Sequence, residues 1–236
     1  MKKMIVASTS TLFGEQYLEY LLPTLENHFK NCDEIVFIPY AQPSGISYDN
    51  YTQIVKNVFL KINIVVKGIH EFENPIEAIN NAQGIFTGGG NTFLLVSQLY
   101  EKKIMSVLKR IIENGIPYLG TSAGSNIVGL TMQTTNDMPI IHPPSFNTLG
   151  LIPFNLNPHY LDANEHSKHM GETREARLNE FHSFNDIPVV GLREGSWLEV
   201  KDGKIILKGK LTSRLFKPNE SPKELDPETD LSFLGK

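Results

Sequence analysis

The first half of the chain alternates short apolar runs with longer periodic ones. Runs at 4–7, 35–38, 62–66, 84–87 and 116–119 are short, apolar and bounded by turn residues, so they read as strands. Between them, apolar side chains recur at three- and four-residue spacing. Tyr17, Leu18, Leu21, Leu22 and Leu25 predict a helix that Pro23 bends or splits. Tyr51, Ile54, Val55, Val58 and Phe59 predict a second. Ile76, Ala78 and Ile79 predict a short third, with Pro75 in the favoured first turn. Residues 93–112 read as helical, in one or two pieces, and 123–130 as helical again. Strand and helix alternating at this spacing predict a mostly parallel central sheet with helices on both faces.

The pattern loosens after residue 130. Residues 131–170 hold five prolines, and five of the seven histidines lie from His142 onward. This stretch reads as loops that carry function. Residues 172–184 predict a helix, and 189–192, 197–200 and 205–207 predict short strands. Asp202-Gly203 joins the last pair and is a good hairpin turn. From Lys217 the chain is polar, with Pro218, Pro222 and Pro227 among acids. The expectation is one α/β domain over 1–216 and a peripheral polar tail over 217–236.

Composition narrows the function classes. A chain of 236 residues buries one sizeable core. A net charge of −4 supplies no global field for nucleic acid or an anionic membrane. The single cysteine, Cys32, excludes an internal disulfide and a zinc site built on several thiolates, and it suits a reducing compartment. The apolar run after Met1-Lys2-Lys3 is too short for a signal peptide, and no segment approaches the roughly 18 apolar residues of a membrane span. A cytoplasmic protein is expected, with no nucleic-acid or membrane partner and a homodimer left open.

The sharpest chemical signal is Gly120-Thr121-Ser122-Ala123-Gly124, between a predicted strand and a predicted helix. That is the setting of a G-x-S-x-G nucleophile elbow. Small flanking residues permit the sharp turn, and the Ala123 N–H at the helix start suits an oxyanion. An ordinary tight strand-to-helix turn would use the same residues. Thr87-Gly88-Gly89-Gly90-Asn91-Thr92 ends another predicted strand, where ligands bind in open α/β folds. It is neither G-x-G-x-x-G, since Phe93 takes the last position, nor a P-loop, since no Lys follows. Gly89 or Gly90 would add an oxyanion donor and Asn91 a substrate contact. A glycine turn capped by Asn91 or Thr92 is the plain alternative.

A serine nucleophile needs a base and the base needs an orienting carboxylate. The candidate bases are His142, His159, His166, His169 and His182; Pro158 stiffens the backbone that would aim His159. Glu165-His166-Ser167-Lys168-His169 has metal-ligand residues, but Lys168 among them favours a solvated charged segment. Asp137, Asp162 and Glu194 are candidate carboxylates. Glu194 follows an apolar strand, which puts it near a sheet edge, yet the residues alone leave it level with Asp137. Arg174 opens a predicted helix against the macrodipole and shares a stripe with Leu178 and Phe181, which would aim it inward. It would suit a substrate carboxylate, or pair at the surface with Glu172 or Glu175.

The elbow, Gly88-Gly89-Gly90-Asn91-Thr92-Phe93, Thr134-Thr135-Asn136-Asp137-Met138-Pro139-Ile140, Asn157-Pro158-His159, Gly171-Glu172-Thr173-Arg174-Glu175 and Glu194-Gly195 together resemble the peptidase E family. These are aspartyl dipeptidases, within the serine peptidase family that also contains cyanophycinase. The likeness runs from Ser8-Thr9-Ser10-Thr11-Leu12 to about Trp197. It implies a three-layer α/β/α fold similar to class I glutamine amidotransferases. It implies hydrolysis of dipeptides with an N-terminal aspartate. Ser122 would be nucleophile, His159 base and Glu194 orienting carboxylate, with Asn136-Asp137 still at the site. No cofactor or metal is implied, and a small peptide is the implied partner. Thr121 and Arg193 depart from the family pattern, where Trp and Pro stand, which bears on the pocket. A cyanophycinase-like hydrolase, a carboxylesterase and an inert binding module are the alternatives.

Overall fold

A computed structural model describes residues 1–163 and 171–235. The central sheet has seven strands in the order β3-β2-β4-β5-β1-β8-β9. Its parallel part is β1 (Lys3–Ala7), β2 (Glu34–Ile38), β3 (Val65–Gly68), β4 (Ile85–Thr87) and β5 (Tyr118–Thr121). The antiparallel hairpin β8 (Trp197–Lys201) and β9 (Lys204–Lys208) extends it beyond β1. Asp202 and Gly203 both take positive φ, 52° and 81°, at its turn, as the Asp-Gly pair requires.

Strand periodicity explains the two faces. Met4 and Val6 of β1 point into one core, and Ile5 and Ala7 into the other. The second core packs against α1 (Leu22–His28) and α2 (Tyr48–Phe59) through Leu25, Val55 and Phe59. The first packs against α3 (Pro75–Asn80), α4 (Thr92–Glu101) and α5 (Met105–Glu113) through Ile79, Leu95, Leu99, Leu108 and Ile112. Both faces of β1, β2, β4 and β5 are thus covered, as expected for parallel strands, while the edge strand β3 leaves Val65 and Lys67 exposed. Pro23 sits in the first turn of α1, and a 3-10 turn (Glu19–Leu21) precedes it, so the first helical pattern is split. Lys103, at φ 57°, ends α4 and separates it from α5.

Four expectations are corrected. The strand expected over 62–66 starts only at Val65, because Leu60–Ile62 form a 3-10 turn. The helix after the elbow, α6, is confined to Ala123–Asn126. The loop region 131–170 contains a strand, β6 (Asn155–Pro158), in a second sheet of order β11-β10-β7-β6. There β6 runs parallel to β7 (Val189–Leu192), while β10 (Ser213–Phe216) and β11 (Lys223–Leu225) follow antiparallel. The segment read as a peripheral tail therefore supplies β11, and it buries Leu225 and Leu231 in the main core. Residues 174–182 form α7 (Arg174–His182), N-capped by the Thr173 hydroxyl. Among the described residues, no helix is long and apolar enough to cross a membrane.

Candidate active site

Ser122 is the single residue between β5 and α6, at φ 52° and ψ −112°. The residues two positions to either side, Gly120 and Gly124, are glycines because backbone passes too close for anything larger. A Cβ on Gly120 would lie 2.4 Å from the Gly124 carbonyl oxygen, and one on Gly124 would lie 2.1 Å from that of Thr87. The Ser122 N–H donates to Ala7 O at 3.1 Å, tying the elbow to β1. The Ser122 carbonyl accepts from Ser125 and Asn126, so α6 begins here. Among the described residues the N–H groups of Ala123 and Gly124 have no acceptor. They are the free donors expected at a helix start.

The glycine loop after β4 lies against this elbow. A Cβ on Gly89 would stand 3.0 Å from Ser122 Cβ. The Gly89 N–H is already spent on the buried Tyr51 hydroxyl at 3.1 Å. Gly90 has φ 139° and its N–H has no acceptor among the described residues. Asn91 takes the capping role: its Oδ1 accepts from Leu94 N–H at 3.1 Å and its Nδ2 donates to Met138 O at 2.8 Å. Asp137 binds the same helix start, with Oδ2 accepting from Thr92 N–H at 2.7 Å and from the Thr135 hydroxyl at 3.0 Å.

His159 follows β6, and Glu194 follows β7 by one residue. The two strands are parallel with Pro158 opposite Leu192, so both side chains emerge at one strand-end edge. His159 Nδ1 and Glu194 Oε1 are 2.7 Å apart. A carboxylate only accepts, so Nδ1 carries the proton and Nε2 is left as an acceptor. The edge belongs to the second sheet, whereas the spacing had placed Glu194 near the edge that carries Ser122. The two edges meet: Ser122, Ala123, Asn126, Thr92, Thr135, Asn136, Asp137, Pro158 and His159 line one small cavity. Among the described residues, Ser122 and His159 line it together without a hydrogen bond between them.

Support for His159 comes from residues that periodicity did not mark. Asn136 Nδ2 donates to Pro158 O at 2.7 Å, and Asn157 Nδ2 donates to Asn136 Oδ1 at 2.8 Å and Thr134 O at 2.7 Å. Asn126 is buried against the cavity, and its Oδ1 has no hydrogen-bond partner among the described residues. His142 and His182 are engaged with the backbone oxygens of Pro143 and Ile187, away from the cavity. The segment Glu165-His166-Ser167-Lys168-His169 lies outside the described residues. Among those described, no group of three or more His, Cys, Asp or Glu is placed to hold a metal.

Arg174 is half-buried at the first position of α7. Burial draws its guanidinium below the ordinary value, Arg177 adds to this, and the nearby Asp137 carboxylate opposes it. Glu175, one expected surface partner of Arg174, pairs instead with Arg214 at 3.0 Å. Arg193, beside Glu194, forms two forks, to Asp162 at 2.7 and 2.8 Å and to Glu224 of β11 at 2.8 and 3.0 Å. It also donates to the Thr212 carbonyl and hydroxyl. Arg193 thus serves the second sheet rather than the cavity.

Comparison with known proteins identifies the family and supports the fold. The model for peptidase family S51 matches residues 4–208. A peptidase E from Streptomyces coelicolor is 44% identical over 98% of this chain and 94% of its own. A probable alpha-aspartyl dipeptidase from Drosophila melanogaster is 42% identical over 99% and 97%. Among solved structures, a peptidase from an acI-B1 actinobacterium superposes with a TM-score of 0.73 at 15% identity, covering 99% of this chain and 97% of that one. A putative peptidase E from Listeria monocytogenes gives 0.67 at 19% identity, covering 89% and 98%. These two likenesses support the fold, a mixed α/β architecture with a mostly parallel central sheet.

Proposed function

The chain belongs to peptidase family S51 and is a peptidase, and from that premise we propose that it is a serine dipeptidase cleaving Asp-X dipeptides with an N-terminal aspartate. The observation that carries the reading is the 2.7 Å His159–Glu194 contact beside a serine held at positive φ on an elbow. In this reading His159 Nε2 takes the Ser122 proton as Oγ attacks the aspartyl carbonyl carbon. The free N–H groups of Ala123 and Gly90 hold the oxyanion; Gly89, bonded to Tyr51, supports the loop. His159 then protonates the leaving amine, and water, deprotonated by the same base, resolves the acyl-enzyme. Arg174 would receive the substrate's side-chain carboxylate. The Asp137 carboxylate and Asn126 Oδ1, which has no partner among the described residues, would accept from its α-amino group.

The test is a panel of Asp-Leu, Glu-Leu, Asn-Leu, Ala-Leu, β-Asp-Arg and a short acyl ester. Asp-Leu should be turned over fastest, and Ser122→Ala or His159→Ala should lower kcat on the order of 10⁵- to 10⁶-fold. Preferred β-Asp-Arg turnover would instead favour a cyanophycinase-like substrate, and ester turnover indifferent to a substrate carboxylate would favour an esterase. Arg174→Met should erase the preference for Asp-Leu over Asn-Leu; an unchanged preference rejects that role.

A further inference from the structure

Ser8 is fully buried at the end of β1, and its hydroxyl sits where the two sheets meet. It accepts the His159 backbone N–H at 2.9 Å and donates to the Leu192 carbonyl at 2.8 Å. The Ser8 N–H continues the ladder to Ser196 O at 3.0 Å. The preceding residue, Ala7, pairs with Thr121 in register and accepts the Ser122 N–H. One hydroxyl therefore joins the strand that holds Ser122 to both strands that deliver His159 and Glu194. His159 has φ 53°, a backbone state that a non-glycine residue keeps only when its surroundings over-determine it.

We propose that Ser8 is a positioning residue of the serine-His-Glu site, setting the distance between the elbow and the His159–Glu194 pair through its two hydrogen bonds. The inference rests on the peptidase reading above. Without the hydroxyl, the His159 N–H loses its acceptor at a part-buried position, while Leu192 O keeps one partner, the Tyr160 N–H at 3.0 Å. The unmet group is thus the backbone of the candidate base itself. Relief of its positive φ would carry the imidazole away from Ser122, and misplacement by about 1 Å costs on the order of 10²-fold in rate.

The test compares wild type with Ser8→Ala, using Asp-Leu turnover normalised to sites titrated with a serine-directed phosphonate, together with a crystal structure of the variant. The expected result is a kcat per titrated site lower by about 10- to 100-fold, a KM within about threefold, and a His159 ring displaced from its contact with Glu194. A variant that melts earlier but keeps its kcat per site and its His159 position overturns the proposal, because Ser8 would then only hold the fold. Should Ser8→Ala not fold, Ser8→Cys, similar in shape but a far weaker donor and acceptor, carries the same comparison. If wild type turns over no Asp-X peptide, the Asp-X dipeptidase reading fails, and the position of His159 in the variant still decides the role of Ser8.

Discussion

Ser122 shows how much a single residue's sterics reveal. Its flanking glycines are dictated by carbonyl oxygens that leave no room for a Cβ, so the G-x-S-x-G spacing reports a shape directly. The same shape is costly for the serine. A non-glycine residue at φ 52° and ψ −112° is strained by roughly 1–3 kcal/mol. Glycine relieves that strain but loses part of the gain to a more flexible unfolded chain. Ser122→Gly should therefore be more stable than Ser122→Ala by about 1 kcal/mol, or roughly 2–4 °C in Tm for a chain of this size, with both inactive. Calorimetry of the two variants checks this, and an alanine variant that melts at the same temperature or higher would deny the strain. Asn91 shows the reverse case. Its position after three glycines suited a substrate contact equally well as a helix cap, and only its bonds to Leu94 and Met138 separate the two.

Elements were legible where their own pattern formed them and illegible where distant partners did. Four of the five parallel strands, β1, β2, β4 and β5, carry apolar runs because both their faces are covered, and the helices between them carry apolar stripes. Strand β6 has no such signature: Asn155-Leu156-Asn157-Pro158 is a poor strand sequence. It is held because Asn155 exchanges hydrogen bonds with Thr131, at 2.9 and 2.8 Å, and Asn157 bonds Thr134 O, satisfying buried amides that would otherwise be costly. Arg193 secures the second sheet in a similar long-range way. Its forks hold the Asp162 carboxyl below the usual carboxylate range, and the Glu224 carboxyl likewise. Both groups titrate lower folded than unfolded, so their contribution is complete above the unfolded values near pH 4 and is lost as pH falls through the folded ones. Arg193→Met should cost about 1–2 kcal/mol near neutral pH, the carboxylates being half-exposed. The gap in Tm from wild type should close on acidification; a gap independent of pH would mean that Arg193 acts through packing alone.

At the scale of the molecule, the polar C-terminal segment is where composition misleads most. Acids and prolines made 217–236 look peripheral, yet two leucines within it decide its place. Leu225 closes the second sheet on β11, and Leu231, fully buried, packs beside β9, where its N–H donates to Ile205 O at 2.7 Å. Burying each leucine is worth about 1.5–3 kcal/mol, so roughly 3–6 kcal/mol of core packing lies beyond residue 216. That is comparable to the 5–15 kcal/mol by which a whole domain is usually stable. Truncation would also remove Glu224 and leave Arg193, beside Glu194, with one carboxylate fork instead of two. A chain ending at residue 216 should therefore melt far below the full chain or fail to accumulate in soluble form. Replacing only Leu231 by Ala should cost about 2–5 kcal/mol, because the cavity it leaves is closed on all sides. Thermal unfolding of both variants beside wild type tests this. A truncated chain that melts with wild type would show that the seven-stranded sheet closes its core unaided. A large loss from Leu231→Ala alone, with Asp-Leu turnover retained at low temperature, would place the segment in the fold rather than in the chemistry.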